Sequence, residues 1–319
     1  MRLRHFLVTT VAASSTLTAI EQALSQEYPA KTIRIVTATP GGANDFMARL
    51  IAQESAPSLG QQVVVDNRPG SLIGELVAKA PPDGYTILIA GPTFTLSPLL
   101  QKESYDPIRD FAPITLAGTT PNLVAVHPAL PVRTIRDLVA LAKARPGELN
   151  YASTGTGGAA HLFTELLKSM AGINMVRINY KGAGQAVTAL VSGEMQLSIA
   201  TSGSVTQHIK SGRLRVLAVT SAKPSTMFPG LPTVAASGLP GYEAIQMQSV
   251  CAPAKTPAAI VRRLNQEIVR VLNREDSKQK LWNFGVEVAA TTPEELAAAI
   301  KSDMATWDKV IKSAGIRVE

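Results

Sequence analysis

A β-branched run that breaks into glycines and at once becomes a helix occurs twice in this chain, and this repetition constrains the fold more than any other feature. The first copy reads "IRIVTATPGGANDFMARLIAQ" from Ile33, and the second "ELNYASTGTGGAAHLFTELLKS" from Glu148. A strand that turns into a helix through glycine aims free backbone N–H groups at whatever lies above it. The surroundings alternate in the same way. "QQVVVDN" and "YTILIAG" read as strands around the short helix "IGELVAKA", and later "NMVRINY" and "MQLSIA" read as strands around "KGAGQAVTALVSG". Gly42 to Gly70 is 28 positions and Gly158 to Gly182 is 24; Gly70 to Gly84 is 14 and Gly182 to Gly193 is 11. The parts recur in the same order, so the expectation is two similar α/β lobes, each with a largely parallel sheet.

Ligands of open α/β sheets bind outside the carboxyl ends of the strands. Two such lobes facing each other would put Pro40-Gly41-Gly42 and Gly155-Thr156-Gly157-Gly158 on opposite walls of one cleft, where helix amino ends suit an anion. Between and after the copies come "YDPIRDFAPITLA" and "NLVAVHP", a helix from Thr134 with Asp137 as capping box, and the strand-like "EAIQMQSVCAP". Two further helices are signalled by Thr256-Pro257 and by Thr292, Pro293 and Glu295, the last stopping at Gly315. These late elements have no counterpart in the second copy, and a return to the first lobe is expected.

Arg2 and Arg4 precede an uncharged run from Phe6 to Ile20 and a small-x-small site at Ala23-Leu24-Ser25, so residues 1–25 are read as a cleavable secretory leader. The run is short for the ~20 apolar residues of a membrane span. The leader has no cysteine, which excludes a lipid anchor there, and Cys251 is the single cysteine, so no intramolecular disulfide can form. The formal charge is +7, or +6 without the two arginines and one glutamate of the leader, and the basic residues are scattered. With 5% aromatic residues, a field that attracts small anions is the better reading than a nucleic-acid surface.

Catalytic patterns are poorly supported. "STGTGGAA" approximates a dinucleotide fingerprint, but "NMVRINYKG" lacks the acid that should hold a ribose. There is no G-x-S-x-G, and His161, eight residues after Ser153, reads as a helix-packing residue. Four histidines without H-x-x-x-H spacing and one cysteine suggest no metal site, and Cys251 reads as a small buried hydrophobe. No enzyme activity, cofactor or metal is expected. Asp45 stands four residues before Arg49, which suits an ion pair, and is carried as a candidate ligand contact as well.

The blocks "PGGANDFMARLIAQ", "LGQQVVVDNRPG", "VAKAPPDGYTILIAG", "YDPIRDFAPITL", "LVALAKARPGELNYAS", "YKGAGQAVTALVSGEMQL", "IKSGRLRVLAVTS" and "LPTVAASGLPGYEA" closely resemble, in order, the tripartite tricarboxylate transporter substrate-binding proteins, the Bug-type receptors. The resemblance covers essentially the whole mature chain. It implies a bilobal periplasmic binding protein of type II, with two Rossmann-like lobes that close over a small organic carboxylate and deliver it to the membrane components of such a transporter. A monomer in the periplasm is expected, with one lobe formed by residues 26–125 and 249–319 and the other by 126–248. Hinge strands are expected near Asn122 to His127 and near Ile245 to Cys251.

Matched to the family's binding loops, the ligand contacts would be Thr39, Pro40, Gly41 and Gly42 in the first lobe and Ser153, Gly155, Thr156 and Gly157 in the second. Thr93, Thr201 and Ser202 would lie at further strand ends. Two departures matter: a short approach to the glycines, Thr37-Ala38-Thr39-Pro40, and Ile199-Ala200-Thr201 where many members carry a Phe-Asp-Asn-like sequence. Losing that carboxylate removes a partner for an amino group, so a simple mono-, di- or aromatic carboxylate is expected over an amino acid. A sensory role, and less so an exported α/β enzyme, are the competing readings.

Overall fold

One long strand organises the chain. The computed structural model describes residues 28–38 and 40–316, so the leader read at 1–25 and the loop residue Thr39 lie outside the described residues. Strands β1 (Ile33–Thr37), β2 (Val63–Asn67) and β3 (Thr86–Ala90) are followed by β4 (Phe111–Val126), which is 16 residues long. Sequence patterning divides that stretch into two pieces because it contains Pro113, Gly118 and Pro121; the structure joins them. The register slips between Pro113 and Thr115 and again between Leu116 and Gly118, so bulges already interrupt the ladder near Pro113. Pro121 falls at the last pair with β9 (Ile245–Pro253), where β4 changes partners.

From Asn122 onward β4 pairs antiparallel with β7 (Leu197–Thr201), and from Leu123 with β8 (Arg215–Val219). Together with β5 (Asn150–Thr154) and β6 (Val176–Tyr180), these strands build the same order twice. In the first lobe it is β2-β1-β3-β9-β4, and in the second β6-β5-β7-β4-β8. Each lobe has a parallel trio followed by an antiparallel strand, β9 in the first and β4 in the second; β4 pairs in both lobes, and the chain returns to the first lobe through β9. Strands β4 and β9 are thus the two crossings, in the regions where the sequence places hinges. A short β10 (Glu287–Val288) pairs with β4.

Each parallel strand feeds a helix: α1 (Ala43–Leu59), α2 (Gly70–Ala78) and α3 (Thr93–Leu100) follow β1 to β3. Helix α4 (Ile135–Ala144) comes between the lobes' trios, and α5 (Ala159–Ala171), α6 (Ala183–Val191) and α7 (Ser202–Lys210) follow β5 to β7. The chain ends with α8 (Ala258–Leu272), α9 (Glu275–Asn283) and α10 (Pro293–Ala314). Helices α4 and α10 begin with the capping boxes the sequence signals, Thr134 with Asp137 and Thr292 with Glu295.

Helix α8 sets Leu264 and Ile268 against Ile35 and Ile51 in the first lobe's core. Helix α10 crosses the junction. Its Leu296 and Ile300 pack with Val36 and Leu88, whereas Trp307 stacks on Phe163 of α5 at 5.2 Å between ring centroids. Each such fully buried large side chain contributes about 1.5–3 kcal/mol from apolar burial. Cys251 is fully buried on β9, with its thiol pushed up to about 12 by burial, in keeping with a small core hydrophobe. Among the described residues no helix is long and apolar enough to cross a membrane.

Candidate functional site

The two glycine loops share a device. In the first lobe Gly41, at a φ of 87°, donates its N–H to Asp45 Oδ2 at 3.0 Å, four residues on. Asp45 is buried, and its remaining acceptor sites are filled by Asn67 Nδ2 at 2.8 Å and Arg49 Nε at 3.1 Å; Asn67 also donates to the Ala38 carbonyl at 2.7 Å. Burial alone would raise the Asp45 pKa, but the bonds from Arg49, Gly41 and Asn67 outweigh it and hold the carboxyl below its ordinary value. The Arg49 ion pair that the spacing suggests is therefore present, and it fastens the loop to β2. Pro40, Gly41 and Gly42 are exposed, as is Thr93 at the start of α3.

In the second lobe Gly157, at a φ of 75°, donates its N–H to His161 Nδ1 at 3.1 Å, again four residues on. His161 is buried; burial and the positive charge of Arg177 push its pKa down to about 4, so a neutral imidazole holds the loop at physiological pH. The residue reads as helix packing in the sequence, and the structure adds this loop-holding bond. Gly158 must be glycine, since a Cβ there would lie 2.4 Å from the Thr154 carbonyl oxygen. A Cβ on Gly157 would meet Leu100 of α3 in the other lobe.

A cavity of about 210 Å3 opens at the carboxyl ends of β5 and β7. Ser153 and Thr201 line it, together with Ala159 and Ala160 of the first turn of α5, Ala183 opening α6 and Ser204 in the first turn of α7. At roughly 30 Å3 per water, this is space for about seven waters or one small organic acid. The amino ends of α5, α6 and α7 thus gather around one space. None of the three is capped by a side chain, and none has an acidic residue in its first turn. The walls are completed by apolar residues such as Val187 and Ile199, and no charged side chain lines the cavity among the described residues.

Two residues that the sequence reading did not select lie at the boundary with the crossing strands. Gln246 of β9 donates from Nε2 to Asn122 Oδ1 of β4 at 2.9 Å, and both line the cavity. Their signal is faint in sequence, because the pairing of strands 124 residues apart brings them together. Gly155 and Thr156 are exposed in the loop just before α5. Ser202 lies elsewhere, lining a larger groove of about 950 Å3 between α7 and the Trp282–Gly285 turn of the first lobe. Of the gathered amino ends that groove reaches only the one of α7, through Ser202 and Gly203, and it touches neither α5 nor α6, so the smaller cavity, where all three amino ends meet, is the better ligand site. No residue of the first glycine loop lines it among the described residues.

Two Rossmann-like lobes, joined by two crossing strands and with helix amino ends gathered at a cavity beside the junction, define a type II periplasmic binding protein. The profile of the tripartite tricarboxylate transporter family receptors, TctC, matches residues 47–316, and the chain belongs to this family of solute-binding proteins. It is 35% identical to the protein BugT of Bordetella pertussis over 92% of this chain and 92% of that protein. Among solved structures it is similar to Rpa4515 of R. palustris with adipate, at 36% identity and a TM-score of 0.74, covering 91% of this chain and 99% of that one. It is also similar to MatC from Rhodopseudomonas palustris with bound malate, at 26% identity and a TM-score of 0.71, covering 89% and 100%. The family is one of solute-binding receptors and not of enzymes, in keeping with the similar periplasmic binding protein BugD, at 32% identity and a TM-score of 0.71 over 92% of this chain and 100% of that one.

Proposed function

We propose that this chain is a periplasmic receptor that captures a small organic carboxylate in the cavity at β5 and β7 and presents it to the membrane components of a tripartite tricarboxylate transporter. The observation that carries the reading is the set of three uncapped helix amino ends, free of acidic first-turn residues, around an otherwise neutral cavity. Backbone N–H groups there offer an anion what water offers, at a dipole gain of about 0.3–1 kcal/mol per helix when exposed and more when buried. The adipate and malate held by two similar proteins belong to the same ligand class. A lining without Asp or Glu supports a simple carboxylate over an amino acid, whose amino group would have no counter-charge.

On this reading Ser153, Gly155, Thr156, Gly157 and Thr201 hold the carboxylate from the second lobe. Thr39, Pro40, Gly41, Gly42 and Thr93, with Ser202 at the junction, close over it as the lobe of residues 26–125 and 249–319 rotates about β4 and β9 toward 126–248. Asp45 acts through the Gly41 N–H that it holds. Closure shifts the population by the ligand's differential affinity for the closed form. The mature chain, 26–319, works as a monomer after removal of the leader.

The test is a thermal-shift panel of small mono-, di- and aromatic carboxylates with their amides on residues 26–319. A carboxylate should raise the midpoint, with about 2.7 kcal/mol of stabilisation at a hundredfold excess over Kd, while its amide should not. Equal responses to acid and amide, or none to either on ligand-free protein, would remove the carboxylate reading.

A further inference from the structure

Arg177 has no place in the family's binding loops as matched above, yet it stands against both hydroxyls of the second one. It is the second residue of β6, in register with Tyr151 of β5. Its Nε donates to Ser153 Oγ at 2.8 Å, and its terminal nitrogens lie 3.3 and 3.4 Å from Thr156 Oγ1 and 3.2 Å from Asn179 Oδ1. No carboxylate among the described residues forms an ion pair with it. Glu165, whose charge like that of Arg177 reaches Tyr151 and His161, is engaged by the Tyr151 hydroxyl at 2.6 Å and by Lys168 at 2.7 Å. A half-buried guanidinium therefore sits beside the loop that opens α5, the positive end of a helix, with no counter-charge. That arrangement costs free energy in the empty protein and favours an anion in the filled one.

The hydrogen-bond directions sharpen this. A hydroxyl has one hydrogen, and one that accepts a charge-assisted bond must turn that hydrogen elsewhere. Ser153 is fully buried, lines the cavity, accepts from Arg177 and donates to no described group. Thr156 Oγ1 likewise accepts from Arg177 and donates to no described group. Building on the carboxylate reading above, we propose that Arg177 is a positioning residue that commits Ser153 and Thr156 to donate hydrogen bonds into the cleft, so that the second lobe selects an ionised carboxylate over its uncharged amide. An amide NH2 group would meet two donors and a positive charge; a carboxylate oxygen would satisfy all three.

Calorimetric titration of residues 26–319 with adipate, malate and adipamide tests this, using wild type, Arg177→Met, Arg177→Lys and Ser153→Ala. The expected result is wild-type preference for the acids over adipamide and a loss of at least tenfold in acid affinity in Arg177→Met with adipamide unchanged. Arg177→Lys should recover part of that loss. Ser153→Ala should add little in the Arg177→Met background, because the two act as one unit. Retention of the wild-type preference in Arg177→Met, or full additivity with Ser153→Ala, overturns the proposal while leaving the carboxylate reading intact. Failure of wild type to bind adipate, malate or other small carboxylates overturns that reading, and this proposal with it. Should Arg177→Met not fold by circular dichroism, Thr156→Val and Ser153→Ala decide: each should weaken acid binding alone, and unchanged affinities in both overturn the proposal.

Discussion

The two glycine loops solve one problem with opposite electrostatics. Each ties a positive-φ glycine N–H to an acceptor four residues on, in the first turn of the following helix, Asp45 for Gly41 and His161 for Gly157. In the first lobe the acceptor is a carboxylate whose charge is matched by Arg49, so the loop carries no surplus charge. In the second the acceptor is a neutral imidazole and the nearby cation, Arg177, is left unmatched. A carboxylate at 161 would spend that positive charge inside the protein; an imidazole leaves it for a ligand. The difference also fits the position of the cavity, which lies against the second loop's helix and not the first's.

The sharpest way to break the comparison is at the glycines that begin α1 and α5. A Cβ at Gly158 would lie 2.4 Å from a backbone carbonyl that cannot yield without moving β5, whereas Gly42 has nothing within 4 Å of the same position. Gly158→Ala should cost about 3 kcal/mol or more in urea denaturation, as expected of backbone overpacking. Gly42→Ala should cost under about 1 kcal/mol, the usual loss of a glycine cap. Equal costs would mean that the loops are not built to different tolerances.

Acid separates the loops by their titration. Burial holds the His161 pKa at about 4, below the 6.5 of the unfolded chain, so between those values only the unfolded state gains the proton. Stability from this group is complete above pH 6.5, falls as pH drops toward 4 and levels off below; at about 1.4 kcal/mol per unit the total is about 3–4 kcal/mol. Asp45, whose pKa is lowered, keeps its contribution through this window and loses it only as pH falls below the ordinary carboxylate value and through its own folded pKa. Asp303, half-buried between Thr95 and Trp307 and pushed up to about 6 by desolvation, opposes the His161 trend, because acid relieves its ionised form between pH 6 and the ordinary carboxylate value. The difference between wild type and His161→Gln cancels that opposing term. Urea midpoints at pH 7.5 and 4.5 should diverge for this pair, and parallel midpoints would show that His161 is not held neutral.

What the sequence made legible were local signals. The strand–glycine–helix units, both capping boxes and the Gly315 stop are written in neighbouring residues and recur in the structure. Three helices went unread: α3, in "TFTLSPLL" with Pro98 inside it, α7 in "SGSVTQHIK", and α9, because none shows a clean apolar stripe bounded by a cap. Strand β4 was hidden by prolines that bulges and a change of partner absorb. Arg177, Asn122 and Gln246 were beyond reach for a related reason. Their partners are fixed by strand register and by side chains that cross strands, and neither leaves a pattern along one segment.

A smaller effect is expected in the first loop. Asp45→Ala frees the Gly41 N–H and the Asn67 amide, but Gly41 is exposed and Arg49 largely so, and water can replace much of what is lost. The cost should be about 1–2 kcal/mol, within the range for losing a buried acceptor. A cost near that of Gly158→Ala would place the charged network among the main supports of the fold.

The finest test exchanges the two solutions. His161→Asp copies the first lobe's acceptor at the same four-residue spacing, so the Gly157 N–H keeps a partner and overall stability should change by less than about 1 kcal/mol at pH 7.5. The new carboxylate would face Arg177, whose field already reaches position 161. If the unmatched guanidinium serves the ligand, adipate affinity should fall about tenfold, or about 1.4 kcal/mol, while the folded state persists. His161→Asn, an uncharged acceptor of similar reach, should leave adipate affinity near wild type. Loss of affinity in both variants would assign the effect to the shape of the imidazole and not to its neutrality, and the electrostatic contrast between the loops would then carry no consequence for binding.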